Sequence, residues 1–163
     1  MKTLLKLAAA LAVMAGAAAV TLQSGVLNLT MTELEERYRL PQSKFADING
    51  VRLHYVDEGQ GPVIVLVHAS FHSLHSWNDL AARLKDRYRV IRFDQLTNGL
   101  TGPDPDNDYG LPHNERLLEA LLRQLGVTEM TLLGTSSGGT TAFRYAASHP
   151  EQVRRLILVN SAG

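Results

Sequence analysis

An apolar stretch that runs into a Gly-x-Ser-x-Gly pattern constrains this chain more than any other feature. Residues Met130 to Leu133 are apolar, and residues Gly134 to Gly138 carry the pattern with Ser136 at its centre. The pattern suits a strand that enters a turn so tight that only small residues fit on either side of the serine. The run Thr140 to Ala147 is compatible with a helix. Strand, turn and helix in this order predict that Ser136 projects above the end of a sheet, whereas a plain glycine-rich turn is the alternative.

A serine hydroxyl in such a turn is a candidate nucleophile. It is weak at neutral pH and needs a positioned base, and the tetrahedral intermediate that it forms needs donors aimed at its oxyanion. The backbone N–H of Ser137 lies at the start of the predicted helix and is one candidate donor. A second donor is expected from the loop after the apolar strand Val63 to Val67, which begins His68-Ala69-Ser70-Phe71.

Length and composition narrow the class of protein. The chain has 163 residues, of which 45% are hydrophobic, so it corresponds to one globular domain or less. Sixteen basic and sixteen acidic side chains balance, and we therefore expect no nucleic-acid partner. Cysteine is absent, which excludes disulfides, thiol nucleophiles and cysteine-based zinc sites. We predict no cofactor and no resident metal.

The amino terminus differs from the rest of the chain. Lys2 precedes an alanine-rich apolar run that continues to Val20, and Ala17 to Ala19 offer a small-residue cleavage site. We predict a signal peptide or signal anchor over residues 1–22, a connector over 23–43 and the amino-terminal part of a catalytic domain over 44–163. The protein is thus expected to be exported, to the periplasm or outside the cell, or to be anchored in a membrane through residues 4–22.

The remainder predicts an α/β fold with a mainly parallel sheet and a leading antiparallel hairpin. Asn49-Gly50 supplies the hairpin turn, and the uninterrupted apolar run Val63 to Val67 indicates a strand that is covered on both faces. Strands and helices then alternate along the chain. Two local predictions accompany this pattern: His54 lies on the polar side of its strand and has no function, and Ser76 caps a helix with Asp79 three residues later.

From Phe45 onward the sequence resembles the α/β-hydrolase superfamily. Three landmarks carry the resemblance: His68-Ala69 with Trp77 in the following helix, a loop opened by Phe93-Asp94 with Gly99 and Thr101 after it, and the Gly134 to Gly138 pattern. The resemblance implies that Ser136 is the nucleophile of a nucleophile elbow. It also implies that Ser70 and Ser137 provide the two backbone N–H groups of an oxyanion hole.

The sequence also departs from the family pattern. Ala69 stands where glycine is usual, and Leu96-Thr97 stand where Arg-Gly or Pro-Gly is usual. The acid and the histidine of the triad belong after later strands, and the last residues, Asn160 to Gly163, come just past the strand that follows the elbow helix. We therefore expect the chain to correspond to the amino-terminal part of the fold, truncated after that strand.

The expected activity is hydrolysis of a small ester or a related acyl compound through Ser136. Serine at the elbow argues against the dehalogenase and epoxide-hydrolase branches, which use aspartate there. A carbon–carbon bond hydrolase, a cofactor-free haloperoxidase, and an inactive truncated fragment or binding partner are the alternatives.

Other polar clusters are weaker candidates for a site. His72, His75 and His113 could stand near Ser136, but the triad base of the fold occupies another loop. The spacing of His68, His72 and His75 would suit zinc only on a continuous helix, whereas this segment follows a strand. Four aspartates could suggest calcium, but their spacing lacks the glycine and the terminal glutamate of a calcium loop; they are Asp94, Asp104, Asp106 and Asp108.

Overall fold

A computed structural model of the chain describes residues 2–23, 25 and 28–161, so the predicted connector over 23–43 is described only in part. The chain forms two compact units, residues 1–37 and 38–163. The first unit holds helix α1 (Lys2–Gln23) and most of α2 (Met31–Tyr38). Within the described residues, no helix combines the length and the apolar character that a membrane crossing requires.

Helix α2 begins with a reciprocal cap. The Glu33 N–H donates to Thr30 Oγ1 at 3.3 Å, and Glu33 Oε2 accepts the Thr30 N–H at 2.8 Å. This is a capping box, which satisfies backbone donors that the first turn of a helix leaves unpaired. The Thr30 backbone bond lowers the pKa of the Glu33 carboxyl.

The second unit is built on one six-stranded sheet in the order β1-β2-β4-β3-β5-β6. Strand β2 pairs antiparallel with β1 and β4, and the β3–β4, β3–β5 and β5–β6 pairs are parallel. This confirms the predicted α/β fold with a mainly parallel sheet and a leading hairpin. The strands are β1 (Ser43–Ile48), β2 (Val51–Glu58), β3 (Val63–Val67), β4 (Arg89–Phe93), β5 (Met130–Thr135) and β6 (Val153–Val159).

The predicted hairpin turn joins β1 to β2. Asn49 and Gly50 both have positive φ, at 53° and 82°, which a two-residue turn between antiparallel strands requires. The Asp47 side chain accepts the Gly50 N–H at 3.1 Å.

Helices cover both faces of the sheet. Residues Val65, Leu66 and Val67 of β3 are fully buried although neighbouring side chains point to opposite faces, so the prediction for this strand is confirmed. One face packs against α4 and α5 and the other against α3. These helices are α3 (Asn78–Leu84), α4 (Leu111–Gln124) and α5 (Ser137–Ser148).

The predicted cap at Ser76 is wrong. Ser76 lies inside a 3₁₀ turn, Leu74–Trp77, and α3 begins after Trp77. The Leu74 N–H donates to the buried carboxylate of Asp94 at 2.7 Å, which holds the chain in a turn before the helix starts. A contact with a distant loop therefore overrides the local capping pattern.

Candidate active site

Ser136 occupies the turn between β5 and α5 in a strained conformation. Its φ and ψ are 51° and −124°, a region that non-glycine residues rarely adopt. The Ser136 N–H donates to the Val159 carbonyl of β6 at 3.1 Å, and the Ser136 carbonyl accepts the N–H groups of Gly139 and Thr140. Strain of this kind persists only where the surroundings hold the backbone in place.

The two glycines of the pattern are required by packing. A Cβ added to Gly134 would lie 2.7 Å from the Cα of Gly139, and one added to Gly138 would lie 2.5 Å from the carbonyl oxygen of Val67. Real Cβ atoms do not approach backbone atoms this closely. Strand β3, strand β5 and the first turn of α5 thus meet so closely at the serine that side chains are excluded.

Ser70 and Ser137 lie together beside Ser136. The Ser70 N–H donates to Ser137 Oγ at 2.7 Å, and the two hydroxyl oxygens are 2.8 Å apart. The structure therefore brings the two predicted oxyanion-hole residues into contact, although the Ser70 N–H is bonded to a side chain here. Their role at an oxyanion stays a prediction.

His68 holds the loop that carries Ser70. Its Nε2 accepts the Gln95 N–H at 3.0 Å, which leaves its Nδ1 to donate to the Ala69 carbonyl at 2.7 Å. Because a backbone N–H can only donate, this arrangement requires the neutral imidazole with its proton on Nδ1. Burial lowers the pKa of His68. The Gln95 side chain bridges the His68 carbonyl and the Thr141 hydroxyl of α5.

Asn98 joins the two loops that border the site. Its Oδ1 accepts the Phe71 N–H at 3.1 Å, and its Nδ2 donates to the Leu96 carbonyl at 2.7 Å. Phe71 and Thr97 both have positive φ, at 62° and 66°. Thr97 thus adopts a glycine-like conformation at the position where the family usually has glycine. The Phe71 side chain is completely exposed.

A small cleft of about 180 Å³ opens at this end of the sheet. Ser70 and Ser137 line one side of it, and Leu96, Tyr109 and Leu111 contribute apolar surface. Most of its lining is polar, from hydroxyl and amide side chains, so the cleft offers hydrogen-bonding partners beside a small apolar patch.

The predicted position of His54 on the polar side of its strand is wrong. His54 is fully buried, its Nδ1 lies 2.7 Å from Asp94 Oδ2, and its Nε2 lies 2.7 Å from Ser43 Oγ. Its ring partners come from the start of β1 and from the loop after β4, and Thr101 of the same loop accepts the His54 N–H, so these segments enclose His54. The imidazole is accommodated there because both ring nitrogens have partners.

None of the six histidines bonds to the Ser136 hydroxyl in the part of the chain that the structure describes. His72 lies 3.1 Å from Ser76 Oγ, and His75 contacts the Tyr38 carbonyl at 2.8 Å. His113 lies in the first turn of α4, where its Nε2 is 2.7 Å from Asp104 Oδ2. His149 follows the twelve residues of α5, about 18 Å along the helix from Ser136.

The histidines and aspartates with metal-like spacing in the sequence have other partners in the structure. Within residues 2–23, 25 and 28–161, no group of three or more histidine or acidic side chains is arranged to hold a metal ion. Asp104 accepts the N–H groups of Asp106 and Asp108 as well as the His113 contact. These bonds, above all the one from the Asp108 N–H, lower the pKa of Asp104.

Sequence reasoning missed Gln95, Asn98 and Thr141. All three are polar and lie within five residues of a recognised landmark, Asp94 or the elbow serine. That proximity was the signal available for finding them, but the bonds they make join segments 27 to 46 residues apart.

The arrangement has counterparts in known proteins. Residues 62–162 match the family described as the alpha/beta hydrolase fold. The chain belongs to this family. The match starts at the strand that leads to His68 and runs past β6, so it includes every feature of the candidate site.

Individual relatives carry several different activities in their names. The chain is 37% identical over 120 residues to a cis-3-alkyl-4-alkyloxetan-2-one decarboxylase of Shewanella oneidensis, covering 72% of this chain and 38% of that protein. It is 29% identical over 120 residues to haloalkane dehalogenase 2 of Mycobacterium tuberculosis, covering 74% and 42%. The curated relatives that it matches are thus more than twice as long as the matched part.

Comparison with a solved structure supports the same family. The crystal structure of a probable hydrolytic enzyme from Pseudomonas aeruginosa superimposes with a TM-score of 0.68 at 31% identity. The match covers 77% of this chain and 43% of that one. The α/β-hydrolase resemblance inferred from the three sequence landmarks is therefore confirmed.

Proposed function

We propose that the protein is a serine hydrolase that acts on a small ester or related acyl compound through Ser136. The strained position of Ser136 beside the Ser70–Ser137 pair is the observation that carries the proposal. A nucleophile at a sharp strand-to-helix turn is accessible to a substrate carbonyl, and nearby donors can stabilise the charge that develops on its oxygen.

In the proposed reaction, Ser136 Oγ attacks the acyl carbon while its proton passes to an imidazole base. The carbonyl π pair moves to oxygen, and the oxyanion lies near the backbone N–H groups of Ser70 and Ser137. Collapse re-forms the carbonyl and breaks the bond to the leaving alkoxide, which takes the proton from the imidazolium. Water then attacks the acyl-serine in the same sequence and releases the acid.

The proposal requires a histidine base and an orienting carboxylate at Ser136. In this fold they follow the serine in chain order. His149 is the only histidine after Ser136 in this sequence, and it lies at the far end of α5. We therefore assign neither role to a residue described here.

The names of the relatives bear on the substrate. An oxetan-2-one is a strained cyclic ester, so the 37% identical decarboxylase acts on a compound with an acyl carbonyl. This favours an ester, open or cyclic, over a haloalkane as the substrate. Decarboxylation of an oxetan-2-one is accordingly the second candidate activity.

The test uses the protein expressed from its whole reading frame. We expect a fluorophosphonate to label Ser136, p-nitrophenyl esters to be hydrolysed, and Ser136→Ala to remove both, by up to about 10⁶-fold in rate. Ser148→Ala, an exposed serine at the other end of α5, is the matched control and should retain both.

Three results would contradict the ester proposal. Release of carbon dioxide from an oxetan-2-one without ester turnover would favour the second candidate. Halide release from a haloalkane that survives Ser136→Ala would indicate a different nucleophile. A folded protein that neither takes the label nor turns over any of these compounds would support the inactive or binding alternative.

A further inference from the structure

The hydroxyl groups of Ser70 and Ser137 form a pair at the candidate site. The two residues are 67 positions apart in sequence, yet Oγ of Ser137 lies 2.8 Å from Oγ of Ser70 and 2.7 Å from the backbone nitrogen of Ser70. Ser137 is the residue directly after Ser136, and Ser70 and Ser137 both line the cleft at this end of the sheet. The pair therefore faces the space where a substrate of Ser136 would lie.

Counting protons shows what this pair can do. A hydroxyl group has one proton to donate and two lone pairs that accept. The Ser70 N–H can only donate, so it takes one lone pair of Ser137 Oγ. The Ser70 hydroxyl donates to the Ser137 hydroxyl, so their contact uses the Ser70 proton and leaves that of Ser137. One hydroxyl proton is left over, and in the described part of the chain these two bonds are the hydrogen bonds of the two side chains.

We propose that this remaining proton donates to the substrate oxyanion, so that the oxyanion hole contains the side-chain hydroxyl of Ser137 in addition to the backbone N–H of Ser137. The inference rests on the proposed function of Ser136. A hydroxyl that accepts a backbone N–H is a stronger donor, because hydrogen bonds in a chain polarise one another. The Ser70 N–H thus polarises the Ser137 hydroxyl, and this hydroxyl donates to the substrate oxygen.

If the Ser137 hydroxyl obstructs the site instead, its removal should have the opposite effect on the rate. If the Ser137 hydroxyl only occupied the position of the oxyanion and blocked the Ser70 N–H, its removal would free that donor. Ser137→Ala would then raise the rate. The sign of the change therefore separates donation from obstruction.

The experiment compares Ser137→Ala, Ser137→Thr and Ser70→Ala with the wild type, each expressed from the whole reading frame. We expect Ser137→Ala to lower kcat by roughly 10²-fold, the usual effect of losing one oxyanion-hole donor, with KM nearly unchanged. Ser137→Thr keeps the hydroxyl and should retain most of the rate. Ser70→Ala keeps both its N–H and the Ser137 hydroxyl, so we expect a smaller loss than for Ser137→Ala.

A substrate change separates donation from a structural effect. In the thionoester that corresponds to the test ester, sulfur replaces the carbonyl oxygen and accepts hydrogen bonds weakly. The rate ratio of wild type to Ser137→Ala should be large for the ester and close to one for the thionoester. Equal ratios for the two substrates, or a rate for Ser137→Ala at or above that of the wild type, would overturn the inference.

The two proposals fail in different ways. If ester turnover depends on Ser136 but not on the Ser137 hydroxyl, only this inference is wrong. If the folded wild-type protein neither turns over the ester nor reacts with a fluorophosphonate, the proposed function is wrong and the inference falls with it.

Discussion

His54 and Asp94 face each other inside the protein, with His54 Nδ1 2.7 Å from Asp94 Oδ2 and neither side chain exposed to solvent. The same carboxylate accepts the N–H groups of Leu74 at 2.7 Å and Leu100 at 2.8 Å. Gly99 lies against this carboxylate and has a φ of 54°. A Cβ added to Gly99 would collide with the carboxylate. One buried aspartate thus connects strand β2 to both loops that border the candidate site.

Replacing Asp94 should destabilise the whole second unit. Asp94→Asn keeps the shape of the side chain but turns an NH₂ group toward donors that need an acceptor. We expect the free energy of unfolding to fall by about 3 kcal/mol, as for other broken buried pairs. Urea denaturation measures the change, and Asp79→Asn, on the exposed start of α3, is the control. Equal losses in the two variants would contradict this role for Asp94.

Stability should depend on pH through His68. Burial places the pKa of His68 below its ordinary value near 6.5, so as the pH falls the unfolded chain takes up the proton first. The free energy of unfolding should therefore decrease as the pH falls below about 6.5, toward the folded pKa. Protonation in the folded state would also break the bond from the Gln95 N–H.

The measurement is urea denaturation at pH 7.5 and pH 5.5. His68→Gln should be less stable than the wild type at pH 7.5 but should lose less stability between the two values. His72→Gln, at an exposed position, should show the pH dependence of the wild type. An unchanged pH dependence in His68→Gln would show that other groups cause it.

Replacing Thr97 with glycine should stabilise the protein. A β-branched residue at a φ of 66° is strained by about 1–2 kcal/mol, whereas glycine there costs about 0.5–1 kcal/mol in chain entropy. We expect Thr97→Gly to raise the free energy of unfolding by about 0.5–1 kcal/mol. Thr128→Gly, an exposed loop position that lacks positive φ, should instead lower it. Destabilisation by Thr97→Gly would mean that the side chain contributes contacts that outweigh its strain.

The amino terminus should direct export. The charged start and the apolar run to Val20 predict cleavage close to Thr21. Mass spectrometry of the protein from an export-competent host should find a mature chain that begins there. Intact Met1 in the membrane fraction would favour the anchor alternative, and intact Met1 in the cytoplasmic fraction would contradict the export prediction.

The elements that sequence reasoning identified correctly depend on short-range patterns. The run Val63 to Val67, the Asn49-Gly50 turn and the elbow around Ser136 are each recognisable within about ten residues, and each occurs in the structure as expected. Their order along the chain was sufficient to predict the α/β class.

The errors and omissions concern contacts between distant segments. His54 was misjudged because alternation along one strand does not reveal that Ser43 and Asp94, 11 and 40 residues away, hold its ring. Ser76 was misjudged because the turn before α3 depends on Asp94, 20 residues from Leu74. The Ser70–Ser137 contact spans 67 residues, and no spacing rule indicates that one serine would use its side chain as the acceptor.

The bond from the Ser136 N–H to Val159 also has a consequence for folding. Ser136 is held in its strained conformation partly by strand β6, which follows it in the chain and joins β5 only across the whole of α5. Parallel pairing across a helix requires closure of the intervening segment before its contacts can form. The serine should therefore acquire its reactive geometry only once β6 has paired with β5, so a chain that lacks this pairing would carry an ordinary, unreactive hydroxyl.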